Sequence, residues 1–165
     1  MKQKIDVSEV INTDEFEQVL EEFKDYKTLT FMESEDSKRK FAKKQVENGH
    51  VIVEKHDDVP VGFVCLYCND MESKAAFVTA FALSDKLGFA KGLTMARLIK
   101  RAFEIAFEAG MESVKLEVDD DNARAIKLYE AMGFRYLPKK GEHSSFMEMN
   151  KSEFIEFMEK KLRNK

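Results

Sequence analysis

Residues 116 to 134 constrain the fold more than any other stretch of the chain. They run Leu116-Glu117-Val118, Asp119-Asp120-Asp121, Asn122-Ala123-Arg124-Ala125-Ile126-Lys127-Leu128-Tyr129-Glu130-Ala131-Met132 and Gly133-Phe134. The first triplet alternates as a buried strand does, and the acidic triplet is turn chemistry. Asn122 is a residue type that caps helix starts, and Gly133 is the type that ends helices in a left-handed conformation. Phe134 then opens another strand. A strand, an acidic loop, a capped helix and a returning strand require a sheet with helices packed on it.

The other segments extend that pattern. Ile5 to Ile11 alternates weakly as a first strand, and Phe16, Val19, Leu20 and Phe23 sit at helical spacing within Asp14 to Phe23. A polar helix is expected over Ser37 to Glu47, ended by Asn48-Gly49. Val51 to Val53 and Val61 to Cys68 read as strands joined by a turn at Asp57-Asp58-Val59-Pro60, and Ala75 to Leu83 as a further strand. The strand from Val61 is apolar on both faces, which places it in the middle of a covered sheet. The longest helix is expected from Leu93 to Ala109, with Met95, Leu98, Ile99, Ala102, Ile105, Ala106 and Ala109 as its apolar face and Gly110 as its end. Strands over Ser113 to Val118, Phe134 to Leu137 and Ser145 to Met149 follow, then a terminal helix from an Asn150 cap to Leu162. The expected architecture is α/β: a mixed, mostly antiparallel sheet flanked by helices. With 165 residues and no linker-like stretch, residues 1–165 are expected to form one domain.

Composition removes several functional classes. Hydrophobic residues make up 44% and charged residues 35%, with a net charge of −4, so the basic footprint of a nucleic-acid binder is missing. The longest apolar run, Ala75 to Leu83, is well short of the ~20 residues that span a bilayer. The opening Met1-Lys2-Gln3-Lys4 lacks the apolar core of a signal peptide, so a cytoplasmic location is expected. Cys65 and Cys68 fall on opposite faces of one strand, which argues against a disulfide between them, and no metal-ligand spacing surrounds them. Both read as buried small hydrophobes. His50, His56 and His143 are scattered among polar residues and read as solvated surface histidines.

The sequence Leu116-Glu117-Val118, Asn122, Ala125, Leu128-Tyr129, Gly133-Phe134 closely resembles the end of the GNAT superfamily domain, the acyl-CoA-dependent N-acyltransferases. The resemblance covers roughly Val51 to Asn150. It implies a GNAT-like fold in which acetyl-CoA is the co-substrate and a primary amine of a small molecule or peptide is the acceptor. Asn122 would contact the cofactor, and the Tyr129 hydroxyl would stand near the departing sulfur as general acid. The two lie seven residues apart, on one helical face. The strand Phe77 to Leu83 would pair with the pantetheine arm, with Phe81 and Leu83 nearest to it.

By the same resemblance, the loop opening the long helix would bind the pyrophosphate through backbone N–H groups and the helix dipole. The family signature there is [RQ]-x-x-G-x-[GA]. This chain reads Gly88-Phe89-Ala90-Lys91-Gly92-Leu93-Thr94-Met95-Ala96. Setting Gly92 on the first signature glycine puts Phe89 at the Arg/Gln position and Thr94 at the second small position. Counting back from Gly110 instead puts Leu93 and Met95 on the glycine positions. Lys91 would neutralise phosphate, and Gly92, Leu93 and Thr94 complete the cofactor loop.

No acidic residue lies in the strand where the family often keeps a general base; Asp70, Glu72 and Glu117 are the candidates acting through water. The acidic turns Asp57-Asp58, Asp70 with Glu72 and Asp119 to Asp121 would favour a cationic amine if they ring the acceptor site, and otherwise serve turns and solubility. The other reading the sequence allows is a catalytically silent GNAT-fold module that binds CoA weakly or holds a protein partner. A homodimer is compatible with either.

Overall fold

The computed structural model describes residues 2–26, 29–138 and 141–163. In chain order the elements are β1 (Ile5–Glu9), α1 (Thr13–Glu21), a 3-10 turn over Thr30–Glu33, α2 (Glu35–Asn48), β2 (His50–His56), β3 (Val59–Tyr67) and β4 (Ala75–Leu83). A second 3-10 segment, Asp85–Ala90, leads into α3 (Lys91–Glu108), followed by β5 (Ser113–Asp119), α4 (Ala123–Met132), β6 (Arg135–Tyr136), β7 (Ser144–Asn150) and α5 (Lys151–Arg163). The strands form one seven-stranded sheet in the order β1-β2-β3-β4-β5-β7-β6. Only β4 and β5 run parallel; every other neighbouring pair is antiparallel. This is the mixed, helix-flanked sheet that the sequence implied.

The side-chain alternation of each strand divides the core into two layers. Ile52, Val64, Leu66, Val114, Leu116, Met147 and Met149 face α3, α4 and α5. Val51, Val53, Phe63, Cys65, Ala80 and Ala82 face α1 and α2, packing on Phe16, Val19, Leu20 and Ala42. β3 contributes to both layers, as its two apolar faces required.

Helix starts follow local capping chemistry. Asn12, Ser34 and Asn122 each accept a backbone N–H three residues on, from Glu15, Ser37 and Ala125. Asn150 accepts from Glu153 N–H while the Glu153 carboxylate accepts from Asn150 N–H, a reciprocal pair that starts α5. Gly133 ends α4 at φ 103°, where a side chain would be strained. The β2–β3 turn places Asp57 and Asp58 at φ 51° and 68°, the two left-handed residues of a tight hairpin turn.

The differences from expectation are local. The strand near Phe134 is only Arg135–Tyr136, and the long helix starts at Lys91, two residues before Leu93. His56 is corrected: it is buried against Glu54 rather than solvated. Cys65 and Cys68 are both buried and free.

Candidate active site

β4 and β5 pair only at Ala75–Phe77 with Ser113–Lys115. Beyond those three pairs β4 follows β3 to Leu83 and β5 follows β7 to Asp119. The two strands therefore part, and a cleft of about 660 Å³ opens between them, a size suited to a small-molecule ligand. One edge of β4 from Val78 onward has no strand partner among the described residues, so its backbone N–H and C=O groups are available to an extended ligand.

The parting coincides with a bulge. Cys65 pairs with Ala80 and Leu66 with Val78, which leaves Thr79 as the extra residue. The bulge is clamped by Gln45 of α2, which is completely buried. The Gln45 Oε1 accepts the Thr79 hydroxyl at 2.7 Å, and its Nε2 donates to Leu66 O at 3.1 Å and His50 O at 3.2 Å. Every polar valence of the Gln45 amide head used here is directed at the backbone or side chains beside the bulge. Nothing in the sequence separates Gln45 from its polar neighbours, because the two partners it holds at the bulge, Leu66 and Thr79, lie 21 and 34 residues away.

The start of α3 borders the same cleft through Lys91 and Met95. Gly88, at φ 54° and ψ −123°, turns the chain into the helix in a conformation suited to glycine. Ala90 occupies the cap position and offers no side-chain hydrogen bond, unlike the four other α-helices among the described residues. The positive end of an 18-residue helix is thus left uncovered by side-chain caps. A Cβ at Gly92 would meet nothing within 4 Å, Leu93 is exposed, and Phe89 is fully exposed. Lys91 Nζ reaches Asp85 Oδ1 at 3.1 Å.

Thr94 has a different setting from the others in this loop. Its side chain is buried, and its hydroxyl donates to Glu54 Oε2 at 2.8 Å. Glu54 of β2 has no exposed surface. Arg97 donates to Glu54 Oε1 and Oε2, both at 2.8 Å, and His56 Nε2 lies 2.7 Å from Oε2. Burial pushes the Glu54 carboxyl upward, but hydrogen bonds from Arg97, Thr94 and His56 outweigh it and hold it below the ordinary glutamate range. The Thr94 side chain therefore ties the first turn of α3 to β2, and in a helix that begins at Lys91 its N–H closes the first intrahelical bond. A glutamate interrupting the apolar run Val51-Ile52-Val53, with Thr94 and Arg97 three apart on a helix, is the signal that sequence reading passed over.

On the other wall, Asn122 lines the cleft while its Oδ1 accepts from Ala125 N–H at 3.2 Å. Tyr129 lines the same wall, 8% exposed, with its ring edge-on to Phe81 at 6.4 Å and to Phe134 at 5.7 Å. Burial pushes its phenol up to about 12. Leu83 lines the cleft with Phe81. Phe81, Leu83, Lys91, Asn122 and Tyr129 are thus brought together, while Gly92, Leu93 and Thr94 stand at the adjoining helix start.

The acidic candidates separate. Glu117 lines the cleft, where Ser144 donates to its carboxylate at 2.6 Å. Asp70 and Glu72 lie on the β3–β4 turn, where Asp70 accepts the backbone N–H groups of Glu72 and Ser73. Backbone hydrogen bonds from Ser73 lead in holding the Asp70 carboxyl below its usual range. Of the histidines, His143 lines the cleft and is highly exposed. No group of three or more His, Cys, Asp or Glu side chains among the described residues is placed to hold a metal ion.

The sheet thus parts at its two parallel strands around a ligand-sized cleft, with a helix start free of side-chain caps at its mouth. The sequence pattern of the acetyltransferase (GNAT) family matches residues 16–134, and the chain belongs to that family. No curated protein matches the chain in sequence. Among solved structures, YncA of Salmonella typhimurium, solved with its cofactor acetyl-CoA, matches with a TM-score of 0.62 at 14% identity over 90% of this chain and 93% of its own. The ribosomal-protein-S18-alanine N-acetyltransferase of Escherichia coli matches at 0.65 and 20% identity, over 89% and 94% of the two chains. FdhC, a nucleotide-linked sugar GNAT, matches at 0.75 and 16% identity, over 96% and 93%. These likenesses establish the fold. No helix among the described residues is long and apolar enough to cross a membrane.

Proposed function

We propose that this chain acts as a single-domain N-acetyltransferase that moves the acetyl group of acetyl-CoA to a primary amine. The observation that carries the reading is the parting of β4 from β5 after Phe77 and Lys115, which exposes strand backbone inside a cleft. The pantetheine arm lies along β4 beside Phe81 and Leu83. The pyrophosphate takes the free N–H groups of the α3 first turn at Gly92 and Leu93, with Lys91 adding positive charge and Thr94 holding the turn in place. Asn122 borders the arm from the opposite wall.

In the reaction the amine lone pair attacks the acetyl carbonyl carbon, a C–N bond forms, the C–S bond breaks and coenzyme A departs with the electron pair. The proton lost by the amine passes through water to Glu117, the candidate carboxylate that lines the cleft. Tyr129 stays protonated, because a phenol near 12 is a far weaker acid than a thiol near ~8.5. Its contribution is a hydrogen bond to the developing thiolate. The free, buried Cys65 and Cys68 are consistent with a cytoplasmic setting.

One observation favours the alternative, a silent module. With Gly92 on the first signature glycine, Phe89 stands at the Arg/Gln position, and its side chain is fully exposed and apolar, so it supplies no phosphate ligand. Isothermal titration calorimetry with acetyl-CoA decides between the two. Micromolar binding, weakened at least tenfold in Lys91→Glu, is the expected result. Heat changes indistinguishable from dilution at millimolar acetyl-CoA would remove the acyltransferase reading.

A further inference from the structure

A second cavity, of about 640 Å³, opens on the sheet face that carries α1 and α2, beyond the edge of those helices. Its floor is made by Phe77 of β4, Lys115 of β5 and Phe146 of β7, with Tyr67 of β3 beside them and Leu137 and Pro138 as a wall. Phe77 and Phe146 stand 6.2 Å apart between ring centroids and are only half-buried, outside both core layers. Apolar rings held half-open on a strand face otherwise made of polar and charged residues, Lys115, Glu117, Ser144 and Glu148 among them, are not needed to close the core.

The position of this cavity relative to the transfer cleft is fixed by strand geometry. Val114, Leu116, Val118, Met147 and Met149 point toward α3, so Lys115, Glu117, Ser144 and Phe146 point the other way. Thr79, Glu117 and Ser144 line the cleft, and Phe77, Lys115 and Phe146 follow two residues along the same three strands. Two residues of strand span about 7 Å. Phe146 is also the register partner of Glu117, so the cavity begins beside the carboxylate proposed to receive the amine proton.

We infer that this cavity is the acceptor subsite and that the acceptor is a primary amine joined by a short linker to a compact, ring-sized apolar body. This rests on the acetyltransferase reading and specifies its substrate class. With the amine beside Glu117, the body lies about 7 Å further along the sheet, on Phe77, Phe146 and Tyr67. Among the described residues Lys115 and Asp70 line this cavity together, so it holds no net negative charge to meet the second cation of a polyamine, which would lose its hydration against the rings. The Asp70 carboxylate, which accepts two backbone N–H groups, lies within electrostatic reach of Lys115 and offsets it.

The test compares kcat/KM for 2-phenylethylamine, ethylamine and spermidine at saturating acetyl-CoA. Phe77→Ala and Phe146→Ala are measured alongside the native chain. The expected result is a preference for 2-phenylethylamine of roughly tenfold or more over both other amines, falling toward unity in each variant. Calorimetry with acetyl-CoA separates the two readings: absent binding defeats the acetyltransferase assignment itself. Intact acetyl-CoA binding without the aromatic preference, or with a preference that survives both substitutions, overturns the acceptor subsite alone. If no amine turns over, ligand-observed NMR of 2-phenylethylamine with CoA present decides. Saturation transfer that disappears in Phe146→Ala supports the subsite, and no transfer at millimolar amine overturns it.

Discussion

Replacing Arg97 by Met should destabilise the protein by about 3 kcal/mol, because it strands Glu54 as a buried charge. The carboxylate accepts four short hydrogen bonds, two from Arg97 and one each from Thr94 and His56, and the side chain itself has no exposed surface. The substitution removes two of the four and a permanent cation. Breaking a fully buried pair costs about 3–5 kcal/mol. The Arg97 side chain is 34% exposed, so water screens one side of the pair and the lower end applies. For a domain of this size that loss lowers Tm by about 6–12 °C. Adding Glu54→Gln to Arg97→Met removes the stranded charge and should recover at least about 1 kcal/mol.

The pH dependence carries a definite sign. In the native protein the Glu54 carboxyl is depressed, so its contribution is present above the unfolded value near ~4.3 and is lost as pH falls through the folded one. Without Arg97, burial prevails and the folded value rises, so the variant gains relative stability on protonation. Urea denaturation followed by circular dichroism should therefore show a smaller deficit at about pH 5 than at about pH 7. A variant within about 0.5 kcal/mol of native, or a deficit that does not change with pH, would refute the reasoning.

Three further outcomes follow from other parts of the structure. Tyr129→Phe should lower kcat by about 10- to 100-fold with the acetyl-CoA Kd unchanged, and the native pH–rate profile should show no limb from this phenol below about pH 10. Gly49→Ala should cost about 1–3 kcal/mol in urea denaturation. Its Cβ would come within 2.6 Å of Leu66 O and of the Gln45 amide that clamps the bulge. Cys65 and Cys68 should resist thiol reagents in the native protein and both react once it is denatured, because burial pushes Cys65 well up and Cys68 to about 11.

What could be read from the sequence was what neighbours decide. Asn122, Asn150 and Gly133 act on backbone three or four residues away, so their roles were visible in the chain order. Helix α3 and the two-faced strand β3 announced themselves by apolar spacing. The opposite held wherever partners are distant. His56 looked solvated because its neighbours in sequence are charged, yet it meets Glu54 under α3. The bulge at Thr79 depends on register with Cys65 and Leu66, which no spacing within β4 reveals. The apolar cavity at Phe77 and Phe146 required β4 and β7 to be placed on either side of β5.

The short parallel contact between β4 and β5 also has a mechanical meaning. Among the described residues, three residue pairs at Ala75–Phe77 join the two halves of the sheet, and they lie at the closed end of the cleft. From there to Leu83 is six residues, an arm of about 20 Å. A 5° change in the angle at the ladder would move the arm's tip by about 2 Å. A change of angle at Ala76 and Val114, both buried in the α3 core, would thus be magnified at the mouth.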